Sequence, residues 1–140
     1  MNAPQNALLG ALVLSLLTLG CSKEQEAEAP HHGSNQCTTP LTEDDITMDL
    51  DEIHEMVDDY DELLSNCYNQ ALDTNPGLQG RIEVNMIVDE SGTPTQVCSG
   101  NTSLPDSRVV GCVLGLFKRF RFADRDEPGA AVYPVTFSPD

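Results

Sequence analysis

The chain has 140 residues with 23 acidic and 7 basic side chains, a formal charge of −16. Most of the excess lies in the front half: residues 1–20 carry no charged side chain, 22–80 hold 15 acids and one base (Lys23), and 81–140 hold 8 acids and 6 bases. This balance excludes a nucleic-acid binder, whose affinity rests on clustered Lys and Arg, and disfavours an anionic membrane surface as a docking site. The length is that of one small domain and excludes a multidomain enzyme.

The first predicted element is a leader. Residues 7–20 form a charge-free apolar run of 14, the length of a secretory core and too short to span a bilayer. The run ends in Gly20-Cys21 before polar Ser22-Lys23-Glu24, which resembles a bacterial lipobox, although Thr18 stands where Leu is usual and no Lys or Arg precedes residue 7. The expectation is a signal peptide over 1–20, a lipid on Cys21, and a protein facing the periplasm from the outer membrane, since Ser22 resembles the default outer-membrane sorting signal. Residues 21–40 read as the lipidated cysteine and a flexible acidic tether: they are polar, rich in Pro, Gly and Glu, and lack large apolar side chains. His31 and His32 within this stretch have no carboxylate or thiolate frame around them and read as solvated linker.

Setting Cys21 aside leaves Cys37, Cys67, Cys98 and Cys112, an even number in an exported and oxidising context. Four cysteines allow three pairings, and the residues alone do not choose among them. No CxxC spacing points to a redox centre or a zinc ribbon.

The folded domain is expected over 41–140. Asp49 is the predicted N-cap of a first helix, with Glu52 three residues on to reach back. The apolar stripe Leu50, Ile53, Val57, Tyr60, Leu64, Cys67, Tyr68, Ala71 extends it without a break to the stop at Asn75-Pro76-Gly77. Asp51, Glu55, Asp58, Asp59, Asp61 and Glu62 make the opposite face a dense carboxylate surface, which lacks the calcium-loop pattern. Residues 80–88 alternate, with Ile82, Val84, Met86 and Val88 on one side and Arg81, Glu83 and Asn85 on the other, as in a half-buried strand. A turn at 89–92 leads to a second strand over 93–100, in which Pro94 indicates an edge. Asp106 caps a second helix whose face is Val109, Cys112, Val113, Leu116, Phe117 and Phe120, with Lys118, Arg119 and Arg121 at its end as a possible answer to the acidic first helix. The last strand covers 131–137, and Pro134 again indicates an edge. The fold class is α+β in the order helix, strand, strand, helix, strand.

A set of spaced residues resembles a known family. Cys67-Tyr68 with Leu72, Asn75-Pro76-x-Leu78-x-Gly80-Arg81-Ile82-x-Val84, Gly92, Ser103-Leu104-x-Asp106, Val109-x-x-Cys112, Phe120-x-Phe122 and Tyr133-Pro134-x-x-Phe137 are similar to the AgmX/PglI C-terminal domain, a TonB C-terminal-like domain of gliding-motility-associated envelope proteins. The resemblance covers about 46–139 and implies a three-stranded antiparallel sheet with two helices packed on one face. It also implies that Cys67 pairs with Cys112. Cys98 departs from the family pattern and Cys37 lies outside the domain, so Cys37 to Cys98 is the expected second bridge.

No Ser/His/Asp or Cys/His arrangement, phosphate-cradling loop or nucleotide fingerprint is present, and His54 sits among helix carboxylates as a surface histidine. The expectation is a non-enzymatic, lipid-anchored periplasmic interaction module without a cofactor or metal, which binds an envelope protein within an envelope-spanning or motility-associated complex. Edge addition is the mode for which TonB-like domains are known, so the candidate binding residues are Pro94, Val97 and Ser99 on one edge and Val132, Tyr133 and Val135 on the other. The alternative is a lipoprotein whose acidic helix face sequesters Ca²⁺ or a cationic ligand.

Overall fold

The computed structural model describes residues 35–140. The predicted signal peptide, Cys21, His31, His32 and most of the expected tether lie outside the described residues. A 3₁₀ turn over Glu43–Asp45 precedes helices α1 (Leu50–Asp59) and α2 (Asp61–Leu72), strands β1 (Gly80–Val88) and β2 (Pro94–Ser99), helix α3 (Ser107–Phe117) and strand β3 (Gly129–Phe137). The three strands form an antiparallel sheet in the order β2-β1-β3, with β1 in the centre. The α+β class and the element order agree with the expectation, and β1 occupies the predicted span.

The four apolar side chains of β1 explain why the helices gather on one face. Ile82, Val84, Met86 and Val88 are all at most 1% exposed, and strand alternation puts them on the same side. Ala131, Tyr133 and Val135 of β3 stand beside Met86, Val84 and Ile82 and extend that surface. Ile53, Leu64, Tyr68, Val109, Val113, Leu114 and Phe117 cover it from the helices, and Phe120 and Phe122 complete the core from beyond the end of α3. Burying side chains of this size stabilises by roughly 1.5–3 kcal/mol each.

The single first helix expected from the apolar stripe is in fact two. Tyr60 takes φ −105° and ψ 5°, and its N–H turns back to the Val57 carbonyl at 3.1 Å. Its ring packs against Phe120 with centroids 4.9 Å apart. The break sits among Asp58, Asp59, Asp61 and Glu62. Four carboxylates in the interior of one long helix would be poorly placed, whereas a new start puts Asp61 and Glu62 in the first turn of α2, at the positive end of its dipole. The stripe also fails at its first member, since Leu50 is 47% exposed.

Caps follow the sequence more closely. The Asp49 carboxylate accepts from the Asp51 N–H at 3.0 Å. Glu52 does not reach back to complete a capping box; it pairs instead with Arg125 at 3.2 Å. Arg125, rather than Lys118, Arg119 or Arg121, is thus the base that answers α1. The Asp106 carboxylate accepts from the N–H groups of Arg108 and Val109 at 2.9 and 3.2 Å. Burial pushes the Asp106 carboxyl up, but the Arg108 side chain and these two N–H groups outweigh it and hold the group below the usual carboxylate range.

Two disulfides complete the framework. Cys67 of α2 and Cys112 of α3 are joined with Cα atoms 5.8 Å apart, and Cys37 and Cys98 with Cα atoms 5.0 Å apart. Such bridges fit an oxidising compartment. Among the described residues no helix is long and apolar enough to cross a membrane.

One turn demands glycine. Gly92 has φ +76°, and its carbonyl accepts from the Phe122 N–H at 2.9 Å. A Cβ there would overlap the Phe122 carbonyl.

Two outcomes are expected in thermal and urea melts. Replacing Gly92 by Ala lowers stability by about 2 kcal/mol or more, because backbone strain and the overlap with Phe122 add. Asp106→Ala costs about 1 kcal/mol at neutral pH. A carboxyl whose folded pKa is depressed stabilises above its unfolded value, so this loss is full above pH about 4 and fades as pH falls through the lower folded value, where the wild-type carboxylate also protonates.

Candidate functional site

Each edge strand turns alternate residues' N–H and C=O groups outward. Whether an edge is open therefore depends on which residues point out and on what already meets them. On β2, the residues bonded to β1 are Gln96 and Cys98, opposite Ile87 and Asn85, and those turned outward are Val97 and Ser99. The Ser99 N–H donates to the Asn35 carbonyl at 2.6 Å, and its carbonyl accepts from the Cys37 N–H at 2.9 Å. Residues 35–37 thus run parallel to β2 and occupy this end of the edge. The Cys37–Cys98 bridge pins them there.

The same strap continues over the outer face of the sheet. The Leu41 N–H donates to Asn85 Oδ1 at 2.7 Å, and Asn85 is only 1% exposed. Residues 35–40, counted with the tether in the sequence, therefore lie against the domain. At the other end of β2, Pro94 has no N–H and the pairing register shifts between Ile87 and Val88, which leaves Thr95 as a bulge. Between Pro94, the bulge and the occupied Ser99, the usable β2 edge shrinks to Val97.

The β3 edge is different. At its start the Ala130 carbonyl accepts from the N–H groups of Thr47 and Met48 at 2.9 and 3.1 Å, and the Ala130 N–H donates to Thr47 Oγ1 at 3.0 Å. Ala130 therefore faces outward, and by alternation so do Val132, Pro134 and Thr136. Pro134 lacks an N–H at a position where none is needed for the ladder to β1, so the strand passes through it without losing a bond. Among the described residues nothing outside the sheet bonds to the backbone of Val132, Pro134 or Thr136. Five groups stand open: two N–H and three C=O.

Of the six residues expected at the binding edges, Val132 is where an incoming strand would meet it. Tyr133 and Val135 turn their backbones to β1 and their side chains to the core face. Pro94 and Ser99 are on a blocked edge. The sequence does not mark Thr136, because its importance depends on which strand is central and on the parity set by Ala130, neither of which the sequence displays.

Helix α1 forms one wall of the β3 edge. His54 Nδ1 lies 2.8 Å from the Tyr133 hydroxyl. Burial, and then the charge of Asp58, push the Tyr133 phenol above its ordinary pKa, so it stays protonated. His54 Nε2 is 3.9 Å from an Asp58 carboxylate oxygen, with both side chains more than 60% exposed; a pair so open to water contributes little. Among the described residues no three His, Cys, Asp or Glu side chains lie close enough together to hold one metal ion.

No family model matches the chain, nor does any curated protein. The resemblance to the AgmX/PglI domain thus rests on the quoted residues. Among solved structures the chain is similar to the solution structure of the Helicobacter pylori TonB C-terminal domain, at 11% identity over 59% of this chain and 82% of that one, with a TM-score of 0.40. A likeness of that size carries no argument about partners. The edge geometry stands without it.

The two bridges predict different phenotypes. Breaking Cys67–Cys112 by double serine substitution removes a constraint on a 45-residue separation inside the core and lowers global stability by roughly 4 kcal/mol in the chain-entropy model. Breaking Cys37–Cys98 the same way frees a peripheral strap. Although its separation of 61 is the longer, it shifts the melting midpoint less than the first pair does, because the freed strap detaches without unfolding the core and regains its own disorder in the native state, and it speeds amide exchange selectively at Cys37 and Ser99.

Proposed function

We propose that this protein is a non-enzymatic interaction module, anchored to the outer membrane by a lipid on Cys21 and facing the periplasm, that binds an envelope protein by adding the partner's extended segment to β3. The observation that carries the reading is the contrast between the two edges. One is reduced to Val97 by the chain's own strap, bulge and proline, and the other is left open over Val132–Thr136. Edge strands left unpaired invite association with other chains, and proteins usually block them. Here the strap and the bulge close most of β2, whereas β3 is blunted only by Pro134 and by the Thr47–Met48 contact at Ala130, so the remaining exposure of β3 reads as a docking edge. A partner strand would gain main-chain hydrogen bonds from the edge and specificity from its alternate side chains. We further propose that the complex it joins is an envelope-spanning or motility-associated assembly, in keeping with the resemblance of its spaced residues to AgmX/PglI domains.

A pair of proline substitutions tests this. Val132→Pro removes an outward N–H without breaking the ladder to β1, at the same parity as natural Pro134, whereas Val97→Pro does the equivalent on β2. With a photoreactive residue at position 136 of the full-length protein in cells, we expect one stoichiometric envelope partner to be crosslinked. Val132→Pro abolishes the crosslink and Val97→Pro leaves it. A partner still captured by a folded Val132→Pro variant, or captured through Val97, overturns the proposal.

A further inference from the structure

The wall beside β3 determines what an incoming strand should carry. Leu50, Asp51, His54 and Asp58 follow one another at the spacings of a helix and share a side of α1. That side faces β3, because His54 meets the Tyr133 hydroxyl and the Asp58 charge is felt at the Tyr133 phenol. All four side chains are exposed. Among the described residues neither Asp51 nor Asp58 is paired with a Lys or Arg; the arginine that reaches α1, Arg125, is taken up by Glu52. Leu50, at 47% exposure, is one of two large apolar side chains left in water among the described residues.

Resting on the β3-edge reading, we infer that the segment added to β3 is a basic one: an extended peptide with Lys or Arg at alternate positions, on the side turned to α1, accompanied by an apolar side chain that covers Leu50. The binding site is the backbone edge, and the carboxylates select what docks there. A strand presents every second side chain to one face, so the residues of the added strand on the helix side of the sheet face Asp51, His54 and Asp58. Acidic segments are repelled by the same two carboxylates. A second copy of this chain is a poor occupant for the same reason, since each copy brings 23 acids against 7 bases and pairing β3 with β3 would bring two carboxylate stripes together. Charge complementarity of this kind also speeds encounter and makes it salt-dependent.

The test is selection of random ten-residue peptides by display against the full-length protein, followed by residue-resolved amide exchange with the enriched peptides bound. The proposal expects enrichment of Lys and Arg at alternate positions, protection of the Val132 and Thr136 amides, and binding weakened about fivefold by Asp51→Asn with Asp58→Asn, in line with two exposed ion pairs. Peptides that protect Val132 and Thr136 but show no basic alternation, or that bind the double variant equally well, overturn the basic-segment inference and leave the edge reading standing. Basic peptides that bind without protecting those amides, or a selection that enriches nothing, overturn both.

Discussion

Strand β1 is paired along both sides, and the rest of the molecule is arranged around that fact. Its nine residues meet β3 in unbroken register from Gly80 to Val88 and β2 from Val84 onward. Because β1 is the central strand, the open edges of the sheet belong to β2 and β3. Its inner side chains, Ile82 through Val88, give α2 and α3 a flat apolar surface to cover, and the Cys67–Cys112 bridge then holds those two helices to each other. Two edges are the unavoidable product of a three-stranded open sheet, and the molecule treats them unequally.

The unequal treatment depends on covalent and polar contacts more than on apolar burial. Residues 35–41 contain Cys37 and Leu41 but otherwise only polar residues and Pro40. Such a segment could not order itself by hydrophobic burial. A disulfide, a short parallel bridge to Ser99 and the hydrogen bond to Asn85 replace that driving force. Asn85 shows the consequence: it is a polar residue on the outer face, yet the strap buries it, and its Nδ2 is left without a protein partner. Burying an amide with one end unpaired costs free energy. The strap therefore carries a local penalty that the bridge and the other contacts offset.

Much of this was legible in the sequence, and what was not has identifiable physical causes. Strand β1 could be read residue by residue because a half-buried strand writes its period of two directly into Ile82, Val84, Met86 and Val88. The caps Asp49 and Asp106 were legible because an N-cap is a local interaction. The break at Tyr60 was not, since the apolar stripe runs through it, and the carboxylates on either side of Tyr60 read as one acidic face until the packing of its ring on Phe120 is seen. In the sequence the strap reads as tether, because its composition is that of a linker and its attachment comes from distant residues, Cys98 at a separation of 61 and Asn85 at 44. Pro94 and Pro134 correctly marked two edges. That one edge is open and the other closed depends on the parity set by Ala130 and on the Ser99 bridge, which no window of sequence contains.

The central claim is that β3 presents an open hydrogen-bonding edge over Val132–Thr136 while β2 keeps only Val97 free. Residue-resolved amide hydrogen exchange on the free full-length protein measures it most directly. The account predicts fast exchange at Val132 and Thr136 against slow exchange at their neighbours Tyr133 and Val135, with Ser99 on the opposite edge protected. Protection at Val132 and Thr136 equal to that of Tyr133 and Val135 would mean that something already occupies the β3 edge, and would contradict it.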